Sequence, residues 1–305
     1  MAELRTSIRP RGPVQSRATS VYGIGDVLFR IGNGGAGATG LIEALATDYL
    51  STLPQARSIE WICNHSLNTQ VALHRGHIDL ALTYEREREH LAEVEGWSRT
   101  AGCVFHDHFC LAGPRHDPAD VRSAQSLGDA LRRVARKAVF FHSRVDGSAT
   151  MEKERQLWTS CGLEPWTEES ARSWYKTNLE TPAGALKGAD EAAAYLLTDR
   201  STLLHQTGLG AVSDTVVFVE PTSPDDVLMN SCYALYSPVA SAETRTNVAG
   251  FLRYLLSERG QGVVESYGVG RCGLPLFAPV ADGFARDKLR GREFAGSQTM
   301  LPARM

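Results

Sequence analysis

Apolar and polar positions along this chain fall into short runs that switch between two periods. Val27, Leu28, Phe29, Arg30 and Ile31 form a compact, mostly apolar run, which predicts a strand. Gly32, Gly34, Gly35 and Gly37 follow, and then Leu41, Ile42, Leu45 and Tyr49 recur on one face of a helix. Residues 58–63 (SIEWIC) predict a second strand, 67–75 a helix and 79–84 (DLALTY) a third strand. The run EREREH at 85–90 is the solvated face of a helix. This alternation is the grammar of a parallel sheet. Residues 104–113 (VFHDHFCLAG) read as one long extended segment, 117–138 as helix and 138–143 (AVFFHS) as strand. Ser148 is placed to cap the next helix, and Thr181-Pro182 reads as an N-cap with proline at the first helical position. A short strand near 174–177, a strand at 193–199 and a short helix at 201–206 complete the middle of the chain. Extended stretches at 216–220 and 228–238 and helices at 244–256 and 259–268 close it, and from Cys272 the composition is tail-like.

Two lobes follow from this order, with crossings at 104–113 and 228–238 as a two-strand hinge. The predicted division is 21–107 plus 226–285 for the first α/β lobe and 108–225 for the second. Residues 1–20 are expected to be a disordered basic tail, and 286–305 a C-terminal tail. Ligands of such α/β proteins bind in the cleft between the lobes.

Composition narrows the function. The 305 residues are 43% hydrophobic and 22% charged, as in an ordinary globular protein. A net charge of −3 argues against a nucleic-acid partner. No run approaches the roughly 18 apolar residues that would cross a membrane. The N-terminus carries Arg5, Arg9, Arg11 and Arg17 against Glu3, with no apolar leader. The cysteines, Cys63, Cys103, Cys110, Cys161, Cys232 and Cys272, form no CxxC pair or regular framework and fit a reducing compartment. A cytoplasmic location is expected, with export by a route the sequence does not show as the alternative.

The glycine-rich turn is the first candidate site. A strand, a glycine turn and a helix start leave backbone amides open beside a partial positive charge, which suits an anion. Asn33 and Thr39 could add donors. The stretch GNGGAGATG matches neither a P-loop nor a dinucleotide fingerprint.

Several motifs occur in order: TGLIEAL, GHIDLALTYE, FCLAGPRHDPADV, SRVDGSATMEKERQLW, ADEAAAYLLTDRST and GLPLF at 273–277. Together they resemble the tungstate-binding proteins of bacterial ABC uptake systems, the Tup type. The SRxDxSxT and ADE…AYxLTDR stretches are the specific ones. The resemblance implies a two-lobed, type II periplasmic-binding-protein-like α/β fold with two crossover hinge strands. It also implies a non-catalytic binder of a tetrahedral oxyanion such as tungstate or molybdate, with no cofactor. Residue by residue, it places Arg144 as the charged donor, Ser148 and Thr150 at hydroxyl positions, Ser66 near a second turn and Thr181 at another helix start. Where the family has Thr-Thr-Thr-Ser, this chain has Gly32-Asn33-Gly34-Gly35, so Asn33 and the amides of Gly34 and Gly35 take the place of hydroxyls. The implied partners are a small inorganic oxyanion and, if the protein is exported, an ABC permease; the chain is expected to be a monomer.

Other constellations compete with this reading. His106, His108 and Cys110 alternate along one strand, so all three share a face and could hold a metal. With the lost hydroxyl row, they motivate an alternative: an enzyme or sensor for a small organic anion. Asp146, Asp190, Glu191 and Asp199 read as caps or arginine partners. Trp174 and Tyr175 either line the cleft or pack the second lobe. Lys176 and Lys187 either add positive potential or are solvated.

Overall fold

The protein is described here by a computed structural model, in which residues 6–292 are placed. The first half runs β1 (Ser20–Gly23), β2 (Asp26–Asn33), α1 (Gly35–Ala38), α2 (Leu41–Ser51), β3 (Arg57–Cys63), α3 (Ser66–His74), β4 (Leu80–Thr83), α4 (Arg86–Val94) and β5 (Arg99–Pro114). Then come α5 (Leu127–Arg136), β6 (Phe141–Arg144), α6 (Ala149–Ser160), β7 (Tyr175–Asn178), α7 (Pro182–Glu191), β8 (Leu196–Asp199), α8 (Arg200–Gly208) and β9 (Thr215–Val219). The chain returns through β10 (Met229–Tyr236) to α9 (Ala242–Leu255), α10 (Glu258–Ser266) and α11 (Val269–Cys272).

The main sheet has the order β1-β3-β2-β4-β10-β5-β8, and β9 also pairs with β5. β2 lies parallel to β3 and β4, whereas β10 runs antiparallel to β4 and β5. The 16-residue β5 is the spine. Its first part, Arg99–His108, pairs with β10; its last part, Phe109–Pro114, pairs with β8 and β9. Where it leaves β10, the Phe109 N–H donates to the Leu228 carbonyl at 2.8 Å, so the outgoing and returning chains are neighbours. These are the two predicted crossings. β6 and β7 form a separate parallel pair in the second lobe.

Burial explains the helices. α2 turns Leu41, Ile42, Leu45, Ala46 and Tyr49 inward, the face its periodicity predicts. Most helices start on a side-chain cap: Ser126 for α5, Ser148 for α6, Thr181 for α7, Asp199 for α8, Ser241 for α9 and Ser257 for α10. The second lobe has its own core of Phe109, Leu111, Phe141, Trp158, Trp174, Tyr175 and Tyr195. The larger core does not stop at the expected lobe boundary, because Leu186, Ala189, Leu203 and Leu204 join it from α7 and α8.

Four regions differ from expectation. The run EREREH is not simply a solvated face: Glu89 of α4 is fully buried and paired with Arg86, and Glu85, which precedes the helix, is buried and paired with Arg88. Residues 117–126 hold no α-helix, only a 3-10 turn at Val121–Ser123. Asp117 and Asp120 take positive φ, and the Asp117 carboxylate accepts the Val121 and Arg122 amides, an arrangement that competes with helix. The described part of the basic N-terminal segment is largely exposed, but it is tied to the body of the protein at several points. Ile8 is buried, Arg11 N–H donates to Asn68 Oδ1, and Gln15 N–H donates to Asn64 Oδ1. The stretch after Cys272 is packed, with Leu276, Phe277 and Leu289 buried. It is pinned by the fully buried Arg200, which donates to the Pro275 and Asp287 carbonyls. The expected tail residues 1–5 and 293–305 lie outside the described residues.

His108 on β5 holds the same C-terminal stretch: its Nε2 accepts the Ala285 N–H at 2.9 Å. Burial, helped by Arg200, pushes its pKa from 6.5 down to about 3. An imidazole depressed in the folded state is protonated first in the unfolded chain. Stability is therefore present above the unfolded value and is lost as pH falls from 6.5 towards 3. Urea unfolding should show about 2 kcal/mol of His108-dependent loss between about pH 7 and 5. His108→Gln, which keeps an acceptor and cannot titrate, should remove most of that slope. An unchanged slope would show that His108 does not control it.

Candidate functional site

A cavity of about 450 Å³ opens between the lobes. Gly34, Gly35 and Ala38 of the β2–α1 turn line one wall, with Cys63, His65 and Ser66 beside them. Arg144, Asp146, Ser148, Ala149 and Thr150 line the opposite wall, joined by the segment from Leu179 to Pro182. Tyr84, Asp107, Asp199 and Asn230 complete the lining. Three helices of nine residues or more begin here: α3 at Ser66, α6 at Ala149 and α7 at Pro182. Their first amides and dipoles make the cavity favourable to negative charge.

Arg144 is the last residue of β6 and is 6% exposed. Its Nη2 donates to Ser148 Oγ at 2.7 Å, and its Nε lies 3.3 Å from Asp146 Oδ2. That pair is close enough to count as ionic, but the Nε–H is not aimed at the carboxylate and remains a buried donor without a hydrogen bond. The guanidinium is thus fixed at one corner and keeps unspent donors. Asp146 also accepts the Ser148 N–H and O–H, so one carboxylate organises the loop from Arg144 to Ser148. The N-terminal segment reaches this loop too: Arg11 Nη1 lies 3.5 Å from the Asp146 carbonyl. The lobes also meet where Arg88 of α4 approaches Glu152 of α6 at 3.4 Å.

The predicted site residues divide into three groups. Gly34, Gly35, Ser66, Arg144, Thr150 and Thr181 line the cavity. Thr181 spends its oxygen as acceptor from the Gly184 N–H and keeps its hydroxyl hydrogen. Ser148 also lines the cavity, but its hydroxyl donates to Asp146, so its present work is to hold Arg144. Asn33 does not line it. It is fully buried, donates from Nδ2 to the Leu82 carbonyl and accepts the Gly37 N–H at Oδ1. Its expected role as a ligand donor is corrected: it is a strut of the glycine turn. Thr39 is likewise spent on the Ala36 carbonyl.

The glycines divide as well. A Cβ on Gly37 would lie 2.2 Å from the Trp61 ring, whereas one on Gly35 would meet nothing within 4 Å. Gly37→Ala should therefore cost ~1–3 kcal/mol by overpacking. Gly35→Ala should stay within ~0.5 kcal/mol of the parent. Urea midpoints of the two variants check this, and equal losses would contradict it.

The metal alternative is not supported. His106 Nδ1 bonds Ser231 Oγ at 2.7 Å, His108 is spent on Ala285, and Cys110 is fully buried with its thiol pKa pushed up by desolvation. Sharing a strand face did not bring the three onto one centre. Among the described residues, no group of three His, Cys, Asp or Glu side chains could hold a metal ion. Trp174 and Tyr175 pack the second core. Lys176 bonds the Arg172 carbonyl, and Lys187 lies 3.7 Å from Glu191.

The sequence reading missed His65, Tyr84, Asp107 and Asn230 as lining residues. Asp107 sits beside Asp199, and the two share the Ser201 hydroxyl at 2.7 and 2.9 Å. Burial first, then Asp199, drives the Asp107 carboxyl well above its usual range, so this acid pair does not add two full negative charges. Burial lowers the pKa of His65. It caps α3 through Asn68 N–H.

A family model for the PBP superfamily domain matches residues 18–259. The tungstate-binding protein TupA of Peptoclostridium acidaminophilum is 30% identical over 219 residues, covering 68% of this chain and 70% of that one. A Haloferax volcanii protein, provisionally named as an ABC transporter anion-binding protein, is 28% identical over 213 residues, covering 68% and 58%. Among solved structures, a periplasmic protein provisionally assigned as metal-binding superposes with a TM-score of 0.75 at 29% identity, covering 85% and 98%. Relatives of this kind, one of them periplasmic and one assigned to an ABC transporter, overturn the expected cytoplasmic location. The reduced look of the cysteines and the basic N-terminus were poor guides to compartment. Cavity, fold and relatives agree: the chain belongs to the PBP superfamily and, within it, to the Tup-type family of tungstate-binding proteins.

Proposed function

We propose that this protein captures a small tetrahedral oxyanion of the tungstate or molybdate type in the interlobe cavity and delivers it, as a monomer, to the permease of an ABC transporter. The carrying observation is Arg144, buried, partly unspent and set among three helix N-termini in one cavity. Donors of this kind bind oxyanions without chemistry, which fits a binding protein and not a catalyst. In this reading Arg144, Ser66, Thr150, Thr181 and the amides at Gly34 and Gly35 face the anion. Ser148 positions Arg144, and the lobes 21–107 plus 226–285 and 108–225 close over the ligand.

Thermal shift with tungstate, molybdate, sulfate and phosphate tests the proposal. Ligand at about 100 times Kd adds about 2.7 kcal/mol to the folded state, a clear rise in Tm. Tungstate and molybdate should give the largest shifts. No shift with any of the four at millimolar concentration would reject it.

A further inference from the structure

Within electrostatic reach of Arg144, and not among the residues that line the cavity, lies a buried acid that anion capture by itself does not use. Glu154 on α6 is 2% exposed. Its Oε1 accepts the Tyr175 hydroxyl at 2.6 Å, and Tyr175 Oη lies 2.9 Å from Ser143 Oγ. Ser143 directly precedes Arg144 on β6 and is itself 1% exposed. Tyr175 stacks on Phe141 at 5.9 Å and meets Trp158 edge-on, so the ring has little freedom. A relay of Glu154, Tyr175 and Ser143 thus fixes the end of the strand that presents the arginine.

We propose that Glu154 is a positioning residue for Arg144 and a second counter-charge, besides the directly paired Asp146, that gives way when an oxyanion arrives. The inference rests on the oxyanion reading given above. The polar and charged groups that act on Glu154 are Tyr175 from β7, which bonds it directly, Ser143 and Arg144 from β6, and, at longer range, Arg155 of its own helix, which lies over Trp166. Burial raises the carboxyl to about 7, against the pull of Tyr175, Ser143 and the two arginines. Near neutral pH the acid is therefore poised between its two states. An oxyanion at Arg144 brings new negative charge and engages the positive charge that favours the carboxylate. Both effects move a proton onto Glu154. Binding and proton uptake are then linked: affinity is highest below about pH 7 and falls above it, about tenfold for each unit by which the anion raises the carboxyl. Neutral Glu154 keeps its place, since a carboxyl oxygen still accepts from Tyr175.

The test is calorimetric titration of the full chain with molybdate, which stays a dianion over this range, at several values between about pH 6 and 8.5. Paired buffers of different ionisation enthalpy count the protons. The parent should take up a proton near neutrality and lose affinity with rising pH. Glu154→Gln should bind with the parent's low-pH affinity at every pH and take up none. Tyr175→Phe, which removes the hydroxyl that favours the carboxylate, should move the fall to higher pH, and it carries the test if Glu154→Gln does not fold. Molybdate binding without proton uptake, or an unchanged pH profile in both variants, overturns the role of Glu154 and leaves the oxyanion reading standing. Failure of the parent to bind tungstate, molybdate, sulfate or phosphate overturns both.

Discussion

Arg144→Ala should weaken oxyanion binding by ~2–5 kcal/mol, the cost of removing one member of a buried charge pair. Two effects act together. The fork that matches an oxyanion is lost, and Asp146 is left facing the ligand without its arginine. Arg144→Lys should recover only part of the loss. A lysine restores the charge, but it cannot hold Ser148 Oγ with one nitrogen and present others to the anion as a rigid fork. Stability without ligand should fall as well, because the guanidinium is tied to Ser148 and paired with Asp146 in a buried loop. Calorimetric titration of the three proteins with tungstate reads the result. Equal affinity in all three would mean that the anion sits elsewhere.

Trp158→Ala should be the most damaging change to the fold, costing ~3–5 kcal/mol. Trp158 is completely buried and meets Phe141 at 5.1 Å, Trp174 at 5.7 Å and Tyr175 at 6.3 Å. It docks α6, whose first turn carries Thr150 and whose cap is Ser148. Its loss should therefore weaken anion binding as well as stability. Trp158→Phe should cost less. It leaves a smaller void and removes an indole N–H that is buried without a hydrogen-bond partner. Urea unfolding of both variants gives the two values, and a loss under ~1 kcal/mol for the alanine would contradict the packing argument.

The parts of this architecture written in local pattern were legible in the sequence. The period of α2, the caps at Ser148 and Thr181, and the two long extended stretches are properties of neighbouring residues, and each is found in its predicted place. Arg144, Ser148 and Thr150 could be grouped because one strand end and the helix after it carry all three. Tyr84, Asp107 and Asn230 could not. They meet only because β10 enters between β4 and β5, an order no local pattern encodes. Asn33 misled because an amide beside glycines looks like a free donor. Its position at the end of a buried strand commits it to Leu82 and Gly37. The N-terminal segment misled by composition. Its arginines suggested a solvated tail, yet the backbone around them is tied down by Asn64 and Asn68. The departure at 117–126 came from Asp117, whose side chain closes a turn where the pattern continued a helix.

The late arrival of β10 governs how the chain can be assembled. During synthesis, β4 and the first part of β5 emerge more than 100 residues before the strand that joins them. Until then both carry an open edge, and open edges invite pairing with the wrong chain. The second core, by contrast, draws on residues 109–228 alone, all of them on hand before Met229 appears. The inserted lobe can therefore close first, while the lobe that begins the chain waits for its central strand. Long-range closure of this kind slows folding and exposes partly built intermediates. A nascent chain halted just short of Met229 should then be the form most dependent on chaperones.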